Sequence, residues 1–216
     1  MSTPVVLTRS ESVSTGAGPG YGYGDAMTFR LGYVTGATPD KWARAWRERS
    51  REGLVLVPVT EETQLDAVRA GEVDMALVRL PVETDGLHLI RLYEEVQVAV
   101  AGAEHLIAAA EEVTTGDLDD EQLVAPHPSG WAPSAEQLPW PPMTEKDAVE
   151  TVAAGTGVVV LPLSVARLFR RKDTVQRPVA DLEPTTIGLA WLREGDDERT
   201  QAFVGIVRGR TANSSR

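Results

Sequence analysis

Three short segments hold hydroxyl, amide, imidazole and glycine residues just after an apolar strand, the first two where a helical pattern begins: Thr35-Gly36-Ala37-Thr38, Thr60 to Gln64, and Pro126-His127-Pro128-Ser129. A helix N-terminus carries free backbone N–H groups and the positive end of the helix dipole, so it suits carboxylate, phosphate or sulfate. In the first segment Gly36 lets a ligand approach the backbone, and Thr35 and Thr38 offer hydroxyls. Thr38 reads equally as the cap of the helix that follows. In the second, Thr60 reads as a cap, while Thr63 and Gln64 can point at a ligand. Glu61 and Glu62 would repel an anion and are expected to face solvent. In the third, His127 can donate a hydrogen bond and titrate at about pH 6–7, or it is a surface residue of a Pro-rich loop. Ser129 adds a hydroxyl. Thr156 and Gly157 read either as neighbours of that site or as a helix stop. Arg79 ends the apolar run Met75–Val78. A cation at the carboxyl end of a sheet strand can pair with an acidic ligand, or with a neighbouring Asp or Glu.

Other chemistry is excluded by what is absent. There is no Cys, so disulfides, thiolate metal sites and Cys nucleophiles are ruled out. The three His (His88, His105, His127) have no metal-like spacing. No Gly-x-Ser-x-Gly occurs. Gly155-Thr156-Gly157 lacks the third glycine of a dinucleotide loop, and a strand follows it. No enzyme activity, metal or cofactor is expected. Net charge is −11, from 21 basic and 32 acidic residues. Nucleic-acid binders neutralise phosphates with Lys and Arg, so direct nucleic-acid contact is disfavoured. The run Arg170–Lys172 reads as the cationic end of a helix. No apolar stretch approaches the roughly 20 residues of a membrane span. The N-terminus lacks an export signal, so the cytoplasm is the expected location.

The elements that position these residues follow from periodicity. Residues 1–27 are rich in Ser, Thr, Gly and Pro and read as a flexible tail. Strands are predicted at 28–34, 54–59, 73–80, 87–92, 95–101, 122–125, 158–161, 175–180 and 186–192. Helices are predicted after Thr38, from Thr60 to Gly71, from Thr144 to Gly155, from Pro162 to Phe169, and from Asp196 onward. Trp42, Ala45, Trp46 and Arg49 share one helix face, as do Ala148, Val149 and Val152. The first half therefore reads β-α-β-α-β-β, an α/β pattern. Five prolines between 126 and 141, and another at 142, oppose regular helix there. Residues 211–216 read as a frayed tail.

Four stretches carry a family resemblance. Glu62–Leu80, with its Gly71-Glu72-Val73-Asp74 turn before a buried strand, closely resembles the effector-binding domains of LysR-type transcriptional regulators. Ala148–Pro162, with Ala154-Gly155-Thr156-Gly157-Val158 leading to Leu161-Pro162, is similar to the same family. Leu92-Tyr93-Glu94-Glu95 and Val113-Thr114-Thr115-Gly116-Asp117-Leu118 fit it in order. The resemblance implies a two-lobed α/β domain of the type 2 periplasmic-binding-protein kind, with mixed, mostly parallel sheets and an interlobe cleft. Lobe I would be 28–100 plus 187–210, and lobe II 101–186, with crossings near Val100 and Thr186. A small-molecule effector, anionic by the argument above, would sit in the cleft. The partner implied is a second copy of the chain or another regulator. Family members carry a helix-turn-helix domain first; residues 1–27 are too few for one, so no DNA-binding domain is expected. The Pro-rich 126–142 segment replaces a helix of the second lobe. The same fold would also suit a solute-binding protein of a transport system, which requires export, or an enzyme, for which no catalytic set is visible.

Overall fold

A computed structural model describes residues 28–209; both tail readings lie outside these residues. The element order is β1 (Thr28–Val34), α1 (Asp40–Arg49), β2 (Gly53–Val59), α2 (Asp66–Arg69), β3 (Met75–Arg79), β4 (Leu87–Glu95), β5 (Gln97–Gly102), α3 (Glu145–Ala153), β6 (Val159–Pro162), α4 (Leu163–Leu168), β7 (Thr174–Pro178), β8 (Thr185–Leu192) and α5 (Glu198–Val207).

The strands form two sheets, a five-stranded one in the order β2-β1-β3-β8-β4 and a three-stranded one in the order β6-β5-β7. Parallel pairing joins only β1 to β2 and β3. The other strand pairs are antiparallel, and two isolated bridges, Val113 to Val179 and Leu123 to Val158, are parallel. The mixed α/β character holds, but parallel pairs are the minority. The reason is that β8 returns from the second lobe and inserts between β3 and β4. The first crossing falls at Val96 rather than near Val100, because Gln97 to Val100 already pair with β6. Residues 97–102 thus belong to the small lobe. The return crossing runs through 181–184, after Val179 and Ala180 have paired within the small lobe.

Each lobe has its own core. In the large lobe α1 and α5 cover the sheet around Phe29, Trp46 and Phe203. Their ring centroids lie 4.6 to 5.8 Å apart, offset and tilted as aromatic quadrupoles prefer. In the small lobe β5 is buried along its whole length, as a central strand covered on both faces must be. Ala148, Val149 and Val152 of α3 cover one face. Leu118, Val160 and Val179 pack with Ala99 and Ala101 on the other. Thr144 starts α3 with a reciprocal capping box to Asp147, and Asp197 does the same for α5 with Thr200.

Two predicted elements shrink. The helix predicted from Thr60 is one turn, α2, because residues 60–66 form successive tight turns instead: Thr63 N–H bonds Thr60 O, and Asp66 N–H bonds Thr63 O. The strand predicted at 122–125 is a single bridge, Leu123 to Val158. Side-chain amides take over its pairing. Leu123 N–H donates to Gln137 Oε1 at 2.7 Å, and Leu138 N–H to Gln122 Oε1 at 2.8 Å. Proline contributes no N–H to a ladder, and this Pro-rich strand partner is stitched by glutamines instead.

Candidate functional site

The cleft lies between the carboxyl ends of β1 and β3 in the large lobe and the α3, β6 and α4 end of the small lobe. Arg79, at the end of β3, sits at its centre. The arginine is not available to an anion. Its Nε lies 2.6 Å from Glu61 Oε1, and its Nη1 lies 2.6 Å from Glu95 Oε2. Nη1 also donates to Thr185 Oγ1 at 3.2 Å, and Nη2 to Thr35 O at 3.0 Å. Each nitrogen of the guanidinium is engaged. Arg79 therefore ties together the ends of β1, β4 and β8 and the 60–64 segment. The expectation that Glu61 faces solvent is corrected by the same contact: its carboxylate turns inward to balance a buried cation.

The 60–64 segment is likewise structural in part. Gln64 is buried, and its amide bonds the backbone of Arg79 rather than a ligand. Thr60 and Thr63 share a hydroxyl–hydroxyl bond of 2.8 Å. With α2 one turn long, no row of free N–H groups points into the cleft here. A cavity of about 440 Å³ opens beside Arg79 and is reached by Thr60, Glu61 and Glu62 from one lobe and by Gln97, Thr144 and Glu145 from the other. Glu62 and Glu145 have no ion-pair partner among the described residues. This compartment is acidic. Gln97 is 2 % exposed, and its side-chain carbonyl has no hydrogen-bond partner.

The 35–38 loop closes against the small lobe. Gly36 has φ +85°, and a Cβ there would lie 2.5 Å from Ser164 Oγ and 2.8 Å from Val165 Cγ2. Only glycine accepts both the left-handed backbone and this approach. The contact divides the cleft. On its far side a cavity of about 400 Å³ brings together Thr38, Lys41, Tyr93 and the Glu95 already paired with Arg79 with Ser164 and Arg167. Lys41 lies 4.5 Å over the ring of Trp42, and neither Lys41 nor Arg167 has an ion-pair partner among the described residues. Ser164 Oγ is buried without a partner. Burial, and then the Glu95 carboxylate, hold the Tyr93 phenol above its usual range. Thr38 does not cap α1, whose N-cap position is Pro39, with no side-chain cap.

The remaining predicted residues fall elsewhere. His127 is turned into the small lobe, where it lines a separate cavity with Trp131 and Trp140. Its neighbours Pro126 and Pro128 do reach the cleft. Burial pushes His127 below the ordinary histidine range, away from the expected titration at about pH 6–7. Ser129 Oγ lies 2.7 Å from His127 Nδ1 and orients the ring. Thr156 donates to Thr151 O at 2.7 Å and stops α3. Gly157, at φ +108°, lies against the backbone of Gln122, where a side chain would not fit. Thr156 and Gly157 therefore form the helix stop, and neither lines the cleft cavities described above. Among the described residues no group of His, Asp or Glu is arranged to hold a metal ion. No helix there is long and apolar enough to cross a membrane.

Sequence reasoning missed Lys41, Ser164 and Arg167, and on the acidic side Gln97, Thr144 and Glu145. Thr144 was legible as a helix cap, and a helix start is the same signal that singled out Thr35 to Thr38. Ser164 and Arg167 carry no local signal; the Gly36 contact brings them to the cleft.

The family model for the LysR substrate binding domain matches residues 41–212. The Hca operon transcriptional activator HcaR of Escherichia coli K12 is 26% identical over 183 residues, covering 78% of this chain and 62% of that protein. The chain thus spans less than two thirds of that relative's length. The effector binding domain of a BenM variant superposes with a TM-score of 0.69 at 19% identity, covering 85% of this chain and 94% of that one. The reduced OxyR regulatory domain from Pseudomonas aeruginosa gives 0.67 at 18%, covering 85% and 96%. Full-length CbnR in complex with its target DNA gives 0.66 at 16%, covering 85% and 70%. At these identities the structural likeness establishes the fold. Two sheets linked by crossings at Val96 and 181–184, the cleft between them, and a family match across most of the chain agree: the chain belongs to the LysR substrate binding domain family.

Proposed function

We propose that this domain is the ligand-sensing part of a LysR-type transcriptional regulator, and that it binds a small anionic metabolite between its lobes on the Gly36–Ser164 side. One observation carries the reading: Lys41 from the large lobe and Arg167 from the small lobe line one cavity and lack ion-pair partners among the described residues. The buried, unpartnered Ser164 hydroxyl supplies a donor beside them. An anion bridging the two cations binds the closed arrangement better than an open one, and differential affinity of that kind is what shifts a conformational population. The Arg79 side is unsuited to an anion, because Glu61, Glu62 and Glu145 outnumber its one cation. The cleft is read as a binding site and not a catalytic one, since it assembles no nucleophile with a base. Contact with DNA is placed outside residues 28–209, in keeping with the acidic chain. A homodimer, or pairing with another regulator chain, in the cytoplasm is the proposed setting.

Thermal shift against carboxylates, phosphates, sulfates and amines tests the reading. At least one anion is expected to stabilise the domain; a ligand at 100 times its Kd contributes about 2.7 kcal/mol. Lys41→Ala and Arg167→Ala should each weaken that anion up to about fivefold, the scale of an exposed charge pair. Stabilisation by amines alone would reject the anionic ligand, and no stabilisation by any class would reject the sensor.

A further inference from the structure

The Arg79 guanidinium carries one charge and meets two carboxylates at the same distance, 2.6 Å: Glu61 Oε1 on Nε and Glu95 Oε2 on Nη1. The two are not equivalent. Glu95 is the last residue of β4, its side chain is 9% exposed, and it lines the cavity on the Gly36–Ser164 side. Glu61 belongs to no helix or strand. It sits in the tight turns after β2, its side chain is 31% exposed, and it lines the cavity of about 440 Å³ beside Arg79. Arg79 lines that cavity too and is the only cation there.

Charge balance of the buried arginine needs one carboxylate, and the more buried Glu95 supplies it. Glu61 is surplus by that count. It takes a second donor of the same guanidinium, and it adds negative charge to a cavity that already holds Glu62 and Glu145. What it occupies is the Nε position of an arginine in a cavity wall, where the carboxylate of a ligand would form its charge-assisted hydrogen bond.

We propose that Glu61 is a specificity-determining residue: its carboxylate takes the place of a ligand's at Arg79 Nε and closes this compartment to small carboxylates. A tethered group competes at an effective concentration set by its tether, so it outcompetes the same group free in solution. Without the Glu61 carboxylate, the compartment is a carboxylate site. The inference does not rest on the Lys41–Arg167 reading.

Glu61→Ala deletes a CH2–COO⁻ unit, and acetate is that unit with one added hydrogen. Glu62→Ala is the control, because it removes the same charge from the same cavity and Glu62 has no ion pair with Arg79. At constant ionic strength, acetate is expected to move the Arg79 Nε–H signal of Glu61→Ala in a nitrogen–proton correlation spectrum. It should bind this variant about tenfold or more tighter than Glu62→Ala, the scale of one charge-assisted hydrogen bond. The neutral isostere acetamide should show no such preference. Glu61→Gln, whose amide oxygen can still accept from Nε, should not respond to acetate. Lys41→Ala added to Glu61→Ala should leave the acetate affinity unchanged. If Glu61→Ala unfolds, recovery of its fold by acetate and not by acetamide is the expected result. An unmoved Arg79 signal, or failure of acetate to recover an unfolded variant, overturns the proposal. Equal acetate affinity in the Glu61→Ala and Glu62→Ala variants overturns it by making general charge the cause. An equal preference for acetamide, or an equal response of Glu61→Gln, does the same by removing the carboxylate exchange. Sensitivity to Lys41→Ala overturns it by placing acetate on the Gly36–Ser164 side. The Lys41–Arg167 reading is tested apart from this, by the anion panel on the unsubstituted domain, so either can fail alone.

Discussion

The side-chain amide of Gln64 pairs with both backbone polar groups of Arg79: Oε1 accepts from Arg79 N at 2.7 Å, and Nε2 donates to Arg79 O at 3.1 Å. Strand β1 pairs with β3 only as far as Tyr33 and Leu77, then departs into the 35–38 loop. Gln64 continues the ladder where β1 stops. Gln64→Leu keeps the bulk and leaves both Arg79 groups unanswered in a buried place. Urea denaturation should report a loss of about 2 kcal/mol; an unchanged midpoint would mean that water replaces the amide.

Arg79 acts as an electrostatic tie between Glu61 and Glu95. Its side chain is 3% exposed, that of Glu95 9%, and that of Glu61 31%. Arg79→Met should cost about 3–5 kcal/mol, because it strands a buried carboxylate. Glu95 dominates that cost, since the more exposed Glu61 is screened by solvent. Arg79→Met combined with Glu95→Gln should recover a substantial part of the loss in the same denaturation experiment. A double variant no more stable than Arg79→Met would show that the pair is not the origin of the effect.

Gly36 sets how closely the lobes meet. Gly36→Ala must hold φ near +85° and place a Cβ against Ser164 and Val165. The backbone term alone is about 1 kcal/mol. The steric term is predicted to separate the lobes, raising the radius of gyration in solution scattering and weakening the cleft ligand. Adding Ser164→Ala should restore part of both. Unchanged scattering with unchanged affinity would show that the loop yields instead.

His127 makes stability depend on pH in one direction. Its folded-state pKa is lowered from 6.5 by burial, so the unfolded chain binds the proton more readily. The stability tied to the neutral ring is complete above about pH 6.5 and is lost as pH falls through that value toward the depressed folded pKa. Wild type should therefore weaken across this window more steeply than His127→Gln. Equal slopes from pH 7.5 to 5.5 would remove His127 as the cause. Asp117, Asp119 and Asp181 are held below the usual carboxylate range, by hydrogen bonds from Thr114, Ser134 and Thr115 respectively. They act at lower pH and do not confuse the comparison.

Much of the fold was legible along the chain, because its signals are local. Strand β1 follows from the alternation of Phe29, Leu31 and Tyr33. The start of α3 follows from Thr144 and Asp147, three residues apart, and its buried face from Ala148, Val149 and Val152. Strand period, helix period and capping depend on neighbours within a turn, so sequence determines them. The site was legible only in outline. Thr35, Gly36, Thr38 and Thr60 do reach the cleft cavities. The partners of Arg79, by contrast, are 16, 18, 44 and 106 residues away. Whether its charge stays free or is cancelled depends on where β4 and β8 end. Lys41 and Arg167 share a cavity only because α4 meets the 35–38 loop, and His127 turns from the cleft because Ser129 and the small-lobe core claim its ring. Sequence alone determined most of the elements, the family and the existence of a cleft. Tertiary structure decided which charges inside it are already neutralised, because Coulombic pairing falls with distance in space and takes no account of separation along the chain.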